Sequence, residues 1–477
     1  MIRPLHPLPK QGDDPVTPFI ATPEGRPFRL LIDRPTIIEG EALEVLDAFA
    51  TLPAIECWST TDDSVRWVKI DWATEVNDHI AVRLHAPGRL THAALNPAST
   101  WRIFAERIST AELPVQEALR QLGYAEVGAR HRFDMIVSDS APLLREPVGI
   151  GGRINIRSSA EAVAHLSLFL RSRGIYVLGD DRAYVQGRFW FYVVASRVVL
   201  PAADRWFSAC QNSTGAGEDV LAADTLPATL RALGQTCLER VDWTVRARDQ
   251  VLSVVAADLI PFCFEMFLLQ MSGAFDALAQ VTAEGLGVHV QRTSPSWRTK
   301  KWLDALASSH SSLAAVMAPG SPHRDALEII SLLRNSIHDS GLPTFGMASS
   351  IHGPTRTTVR TPRGSYAARA FREAIDSLGG KEAWGVQTLI PGTTTIDPLV
   401  FIDQALVAGF KAMNALMTAT PVEAFPGVDP TKLRLGSLSG SGPGDPWSQW
   451  SRDRILLLLG IRKEIETFDK RFPQATI

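Results

Sequence analysis

Arg334 and His338 are the residues whose types and spacing point most directly to chemistry. They lie in the run Ser331-Leu332-Leu333-Arg334-Asn335-Ser336-Ile337-His338-Asp339-Ser340-Gly341-Leu342-Pro343. Ala326, Ile329, Ile330, Leu333 and Ile337 mark one apolar helical face, and residues four apart stack along the flank beside it. An imidazole can move a proton near neutral pH, and a guanidinium can hold a phosphate and stabilise charge developing on it. An architectural reading stands beside this one. Gly341 and Pro343 form an ordinary helix ending, and the helix dipole favours basic residues in a last turn.

Ser294–Trp302 is the one stretch where basic residues interleave with aromatics. Arg298, Lys300 and Lys301 are placed to neutralise phosphates, and Trp297 to stack on a base. The alternative is a capped helix start with its tryptophans in the core. Arg356, Arg360 and Arg363 form a second basic stripe and a second candidate nucleic-acid contact. Glu265 stands among Phe262, Phe264, Met266, Phe267 and Leu268, so its carboxylate requires a donor or cation if it is buried. Other chemistry is poorly represented. There is no Walker loop, HExxH or GxSxG elbow, and Gly149-Ile150-Gly151-Gly152 reads as a turn. Asp62-Asp63 and Asp180-Asp181 sit in turn-like settings. Cys57, Cys210, Cys237 and Cys263 are too scattered for a zinc site. No metal and no cofactor are expected.

The elements that must position these groups follow from hydrophobic period. Short β-branched and aromatic runs predict strands at Phe28–Ile32, Ala54–Trp58, Val65–Asp71, Ile80–Leu84 and Phe133–Val137. Leu113–Leu122 has helical spacing, and Ser158 with Glu161 makes a capping box for another helix, which Gly174 ends. A hairpin is expected from Ile175 through the strand beginning near Ala183. Beyond Ala222 the helical period dominates. Helices are predicted at Leu226–Arg246, Asp249–Met271 with a kink at Pro261, Phe275–Glu284, Lys300–Ser308, His323–His338, Tyr366–Leu378, Leu399–Met417 and Ser448–Phe468. The expected class is α+β, a mixed α/β unit followed by a mostly α-helical bundle. The divisions are an irregular arm over 1–27, a mixed domain over 28–221, and a helical domain over 222–435 with strands or loops inserted at 345–397. A Gly/Ser/Pro-rich linker over 436–446 and a docking helix over 447–477 complete the chain.

With 477 residues, 45% hydrophobic and 21% charged, the chain has material for more than one core. A net charge of −3 gives no global basic field, so any nucleic-acid contact must be local. Val251–Met271 is long and apolar, but Asp258, Pro261, Glu265 and Gln270 favour a buried helix over a membrane span. Met1–Asp14 lacks the apolar run of a signal peptide, so the expected location is cytoplasmic, without membrane contact.

The LLRNSIH segment, residues 332–338, resembles the signature of the HEPN superfamily (higher eukaryotes and prokaryotes nucleotide-binding). Its members are small helical domains with an arginine, a polar residue that is often asparagine, and a histidine near a helix end. The resemblance covers the helical region around 222–345. It implies a metal-independent ribonuclease of bacterial defence or toxin type, usually a homodimer with both motifs at the seam. By position, Arg334 would hold phosphate, Asn335 would orient, and His338 would act on the ribose hydroxyl or the leaving group. The spacer here, Asn335-Ser336-Ile337, is shorter than the family's usual one. Some HEPN proteins are noncatalytic, so a second expectation is a scaffold whose helices bind a protein partner.

Overall fold

The computed structural model describes residues 26–95, 133–140, 156–178, 185–213, 225–253, 259–340, 344–348, 355–433 and 452–473, apart from short gaps, together with 123–124, 144 and 342. The arm at 1–25, the helix expected at Leu113–Leu122, both Asp pairs, the glycine run at 149–152 and the linker at 436–446 lie outside these residues. The chain divides into two compact units between Val185 and Gln186, not between 221 and 222. The class is the expected one, α+β with a mostly helical C-terminal part.

The first unit is built on β1 (Phe28–Ile32), α1 (Glu41–Ala50), β2 (Ile55–Ser59), β3 (Val65–Trp72), β4 (Glu75–Ala86), β5 (Arg89–Leu95), β6 (Met135–Val137), β7 (Ile156–Arg157) and α2 (Ser159–Ser172). One sheet runs β3-β4-β2-β1-β6-β7, with β5 added to β4. Strands β2, β1, β6 and β7 are parallel, and β3, β4 and β5 make an antiparallel meander. Phe28, Leu30, Leu31 and Ile32 are buried, as an apolar run in a covered parallel strand should be. The chain leaves β1 through α1 to β2 on one side, while β6 pairs on the other. A crevice therefore forms at the carboxyl ends of these strands. The Ser158–Glu161 capping box is present: Glu161 N donates to Ser158 Oγ, and Ser158 N to Glu161 Oε2. Gly174 follows the helix at φ 76°. The short strands β8 (Tyr176–Val177) and β9 (Val185–Gln186) come next.

The second unit contains α3 (Arg188–Val199), α4 (Ala203–Asn212), α5 (Leu226–Ser253), α6 (Leu259–Leu286), α7 (Lys300–Ser309), α8 (Ser311–Val316), α9 (Pro322–Ser340), α10 (Ser365–Ser377), α11 (Pro398–Ala419), α12 (Arg452–Leu459) and α13 (Arg462–Arg471). Helices α3 and α4 belong here because both pack on α5. Pro261 does not kink a helix that began at Asp249. It lies in α6, while Asp249 lies in α5, and the two helices pack along each other. The α5–α6 pair supports α9 and α11, and Phe264 is fully buried against Phe401, ring centroids 5.5 Å apart. At Gly409 of α11, a Cβ would lie 3.0 Å from Met271 and 3.2 Å from Ile330, so glycine permits this close crossing. Helices α6 and α11 have the length and hydropathy of membrane spans, but both are largely buried as core helices.

Four antiparallel strands, β10 (Thr344–Ala348), β11 (Thr355–Arg360), β12 (Val386–Ile390) and β13 (Thr393–Ile396), occupy the insertion in the order β10-β11-β13-β12. The single helix expected at Ser448–Phe468 is two. Gly460, at φ 72°, donates from N to Leu456 O at 3.0 Å and terminates α12 before α13 begins. Ile455–Leu459 is buried and packs on α3, which is the expected docking.

Candidate functional site

Helix α9 carries the Arg334–His338 pair on a flank beside its buried face of Ala326, Ile329, Ile330 and Leu333. Arg334 is half-buried, and its Nη1 donates to Asn335 Oδ1 at 3.3 Å. Asn335 is exposed, so that bond turns the amide along the helix surface. His338 is exposed and has neither hydrogen bond nor ion pair among the described residues. Its ring is thus available to a ligand, not committed to capping its own helix. On the neighbouring α6, partial burial pushes the Asp276 carboxyl pKa up, and the Arg334, Arg240 and Arg298 guanidiniums oppose that rise. Arg298 is already paired with Glu328, so Arg334 and Arg240 are the cations that offset Asp276 on this flank. Arg240 reaches it from α5 by lying across Gly273, where a Cβ would stand 2.1 Å from its Nη1.

Glu265 has found its donor. It is half-buried on α6, and Oε1 accepts a hydrogen bond from Leu342 N at 3.0 Å. That bond ties the chain just past α9 to α6, which makes Glu265 a positioning residue for the motif's end of the helix.

The tryptophans of the basic stretch are placed elsewhere than a base platform requires. Trp297 and Trp302 are buried, 4.9 Å apart between centroids in an edge-on pair. The Trp297 indole donates to Phe275 O at 3.1 Å. The physical reason is packing: Trp297, just before α7, and Trp302 and Leu306 on it are the large apolar groups that this segment buries. Arg298 pairs with Glu328 of α9 through Nε at 3.0 Å and Nη2 at 3.1 Å, so its fork is already engaged. Lys300 and Lys301 remain exposed. Arg360 lies opposite Thr395 and Arg356 opposite Met347, both on β11. The structure therefore brings Arg334, Asn335 and His338 together, with Arg298 nearby on the Asp276 side. It does not add Trp297 as a stacking face. Burial pushes the Cys57 and Cys237 thiols up to about 12 and raises those of Cys210 and Cys263, which disfavours the nucleophilic thiolate.

A second polar cluster has no motif in the sequence. Asp33, Thr60 and Ser138 directly follow β1, β2 and β6, at the crevice where parallel-sheet proteins usually bind ligands. Asp33 is fully buried and accepts four hydroxyl bonds: Tyr124 at 2.5 Å and Thr60 at 3.3 Å on Oδ1, Ser138 at 2.8 Å and Thr36 at 3.0 Å on Oδ2. Asp139 then holds the start of α2 by accepting from Ser159 N and Oγ, both at 2.8 Å. With its acceptor capacity used, Asp33 welds three strand ends together. The available signal was an aspartate ending the apolar run Phe28–Ile32 and a Ser-Asp-Ser ending Met135–Val137.

No protein-family description, curated protein or solved structure matches this chain.

Proposed function

We propose that this chain is an intracellular, HEPN-like protein that engages RNA at the α9 flank and cleaves it without a metal ion. The observation that carries this reading is His338, exposed and unpaired among the described residues, one helical turn from the half-buried Arg334 guanidinium. His338 takes the proton of a ribose 2′-hydroxyl as that oxygen bonds to phosphorus. The bond from phosphorus to the 5′-oxygen breaks, that oxygen gains a proton, and a 2′,3′-cyclic phosphate remains. Arg334 holds the phosphate and offsets its added charge. Asn335 keeps Arg334 oriented. The family resemblance adds a homodimer with two motifs at its seam and a role in bacterial defence or toxicity.

The test is end-labelled RNA incubated with the full chain in chelator. Cleavage products ending in cyclic phosphate are expected, with loss on Arg334→Ala or His338→Ala. Cleavage that both variants retain would refute the assignment. A noncatalytic scaffold is the second reading, and Leu259 and Phe262 favour it. These residues are 47% and 62% exposed and three apart on α6, an apolar pair suited to a protein partner. Replacing both by serine should abolish partner capture on that reading and leave RNA cleavage untouched on the first.

A further inference from the structure

A cleft of about 320 Å³ opens between the first turn of α3 and the middle of α5. It shares no residue with the α9 flank, and its volume is in the range of small-molecule sites, roughly 300–1,000 Å³. Its aromatic walls are Phe189 and Trp243, 66% and 49% exposed, which is much apolar ring area to leave in water. The Arg246 guanidinium lies over the Trp243 ring, 4.3 Å from its centre, so a stacking ligand takes the opposite face, and Arg188 lines the mouth. Two carboxylates complete the lining. Glu239 is exposed, one helical turn before Trp243.

Asp242 is the more informative acid. Its Oδ1 accepts from Ser196 Oγ at 2.5 Å and lies 3.9 Å from Arg197 Nη1. Its Oδ2 accepts no hydrogen bond among the described residues and is not fully buried, and the residue lines the cleft. Burial pushes the Asp242 carboxyl up, with Arg197 and the Ser196 bond opposing. It is an acceptor held in place, partly dried, with one oxygen open.

These groups exclude simple ligands in turn. An apolar molecule would desolvate two acids and two guanidiniums without replacing their water. An organic cation would satisfy the acids and the rings but meet Arg188 and Arg246. A small anion would meet Glu239 and Asp242. A flat ring with N–H donors along one edge and a phosphate at its far end satisfies all of them. Guanine has that edge, a ring N–H beside an amino group, whereas adenine places a ring acceptor there. We propose that this cleft binds a guanosine monophosphate unit, its base against Trp243 and Phe189, its donor edge on Asp242, and its phosphate on Arg188 or Arg246. This site stands apart from the reading of the α9 flank and does not depend on it.

Calorimetric titration of the full chain with GMP, with AMP, and with a short single-stranded RNA containing one guanosine tests the assignment. GMP should bind at least about 10-fold more tightly than AMP, the range of a hydrogen bond to a charged group. Asp242→Asn should erase that preference while still accepting from Ser196. Trp243→Ala should weaken GMP by about 5-fold or more, the lower end for loss of one stacking face. Trp243 is exposed, so Trp243→Ala keeps the test readable should Asp242→Asn fail to fold. RNA binding tighter than GMP, with the same sensitivities, assigns the guanosine to a strand; the reverse order assigns a free nucleotide. No GMP heat up to millimolar concentration, equal affinity for GMP and AMP, or indifference to all the variants that fold would overturn the proposal.

Discussion

Asp33 and His338 are both polar groups at the end of a regular element, and their surroundings are opposite. Asp33 is fully buried and receives four hydroxyl donors, so nothing is left for a ligand. His338 is exposed and receives none among the described residues. The first sits where parallel-sheet proteins usually carry their sites, and the second sits on the side of a helix. Position in the fold would have ranked them the other way round. Unspent hydrogen-bonding capacity, set against spent capacity, separates a group that holds the fold from one free to act.

The largest effect expected from this contrast is on stability. Asp33→Ala removes the side-chain acceptor of four hydroxyls; Thr36 keeps its bond to Asp33 O at 3.0 Å, and each of the others costs about 1–3 kcal/mol when left buried and unsatisfied. Two contacts recover part of that, Thr36–Ser138 and Thr60–Tyr124, both at 3.0 Å. A loss of roughly 4 kcal/mol in denaturant unfolding is expected, and a loss under about 1 kcal/mol would break the comparison.

His323 sharpens it, being a buried polar group with an unspent atom. It is 5% exposed, and its Nδ1 is buried without a partner. Burial, then Lys411, lowers its pKa to about 4 from 6.5. The folded state thus resists a proton that the unfolded chain takes up near pH 6.5. Stability is full above that pH and falls as pH drops toward 4, by roughly 3 kcal/mol. Urea titrations from pH 7 to pH 4 measure this, and His323→Gln should flatten the profile. A profile equally steep in that variant would assign the dependence to carboxylates instead.

Arg298 gives the smallest effect. Its bond to Glu328 is bidentate, but its side chain is 31% exposed. Arg298→Ala should therefore cost at most about 1 kcal/mol. A larger loss in thermal unfolding would mean that this pair anchors α9 as firmly as its apolar face does.

Much of this contrast is readable in the sequence on one side only. The α9 pair is local, so residue spacing places Arg334 and His338 on one flank, and the Ser158–Glu161 box shows itself for the same reason. The Asp33 cluster is nonlocal. Its donors come from Thr36, Thr60, Tyr124 and Ser138, which no short window contains. Trp297 and Trp302 illustrate a third case, in which the pattern fits both a base platform and a core anchor and only tertiary packing decides. Gly460 was hidden by the continuous apolar run before it, although glycine after a helix is itself a stop signal. Asp249 and Pro261 belong to two helices, and the strong hydrophobicity between them reads as one.

The most direct test is the rate of RNA cleavage in chelator by the His338→Ala variant, compared with the unaltered chain at matched melting temperature. His338 is exposed and without a partner among the described residues, so its replacement should leave the melting temperature unmoved. Cleavage should fall by about 10²–10⁴-fold, the usual contribution of a positioned acid or base. A variant that cleaves at the original rate, or one that loses activity only because it unfolds, would contradict the assignment of His338 to chemistry.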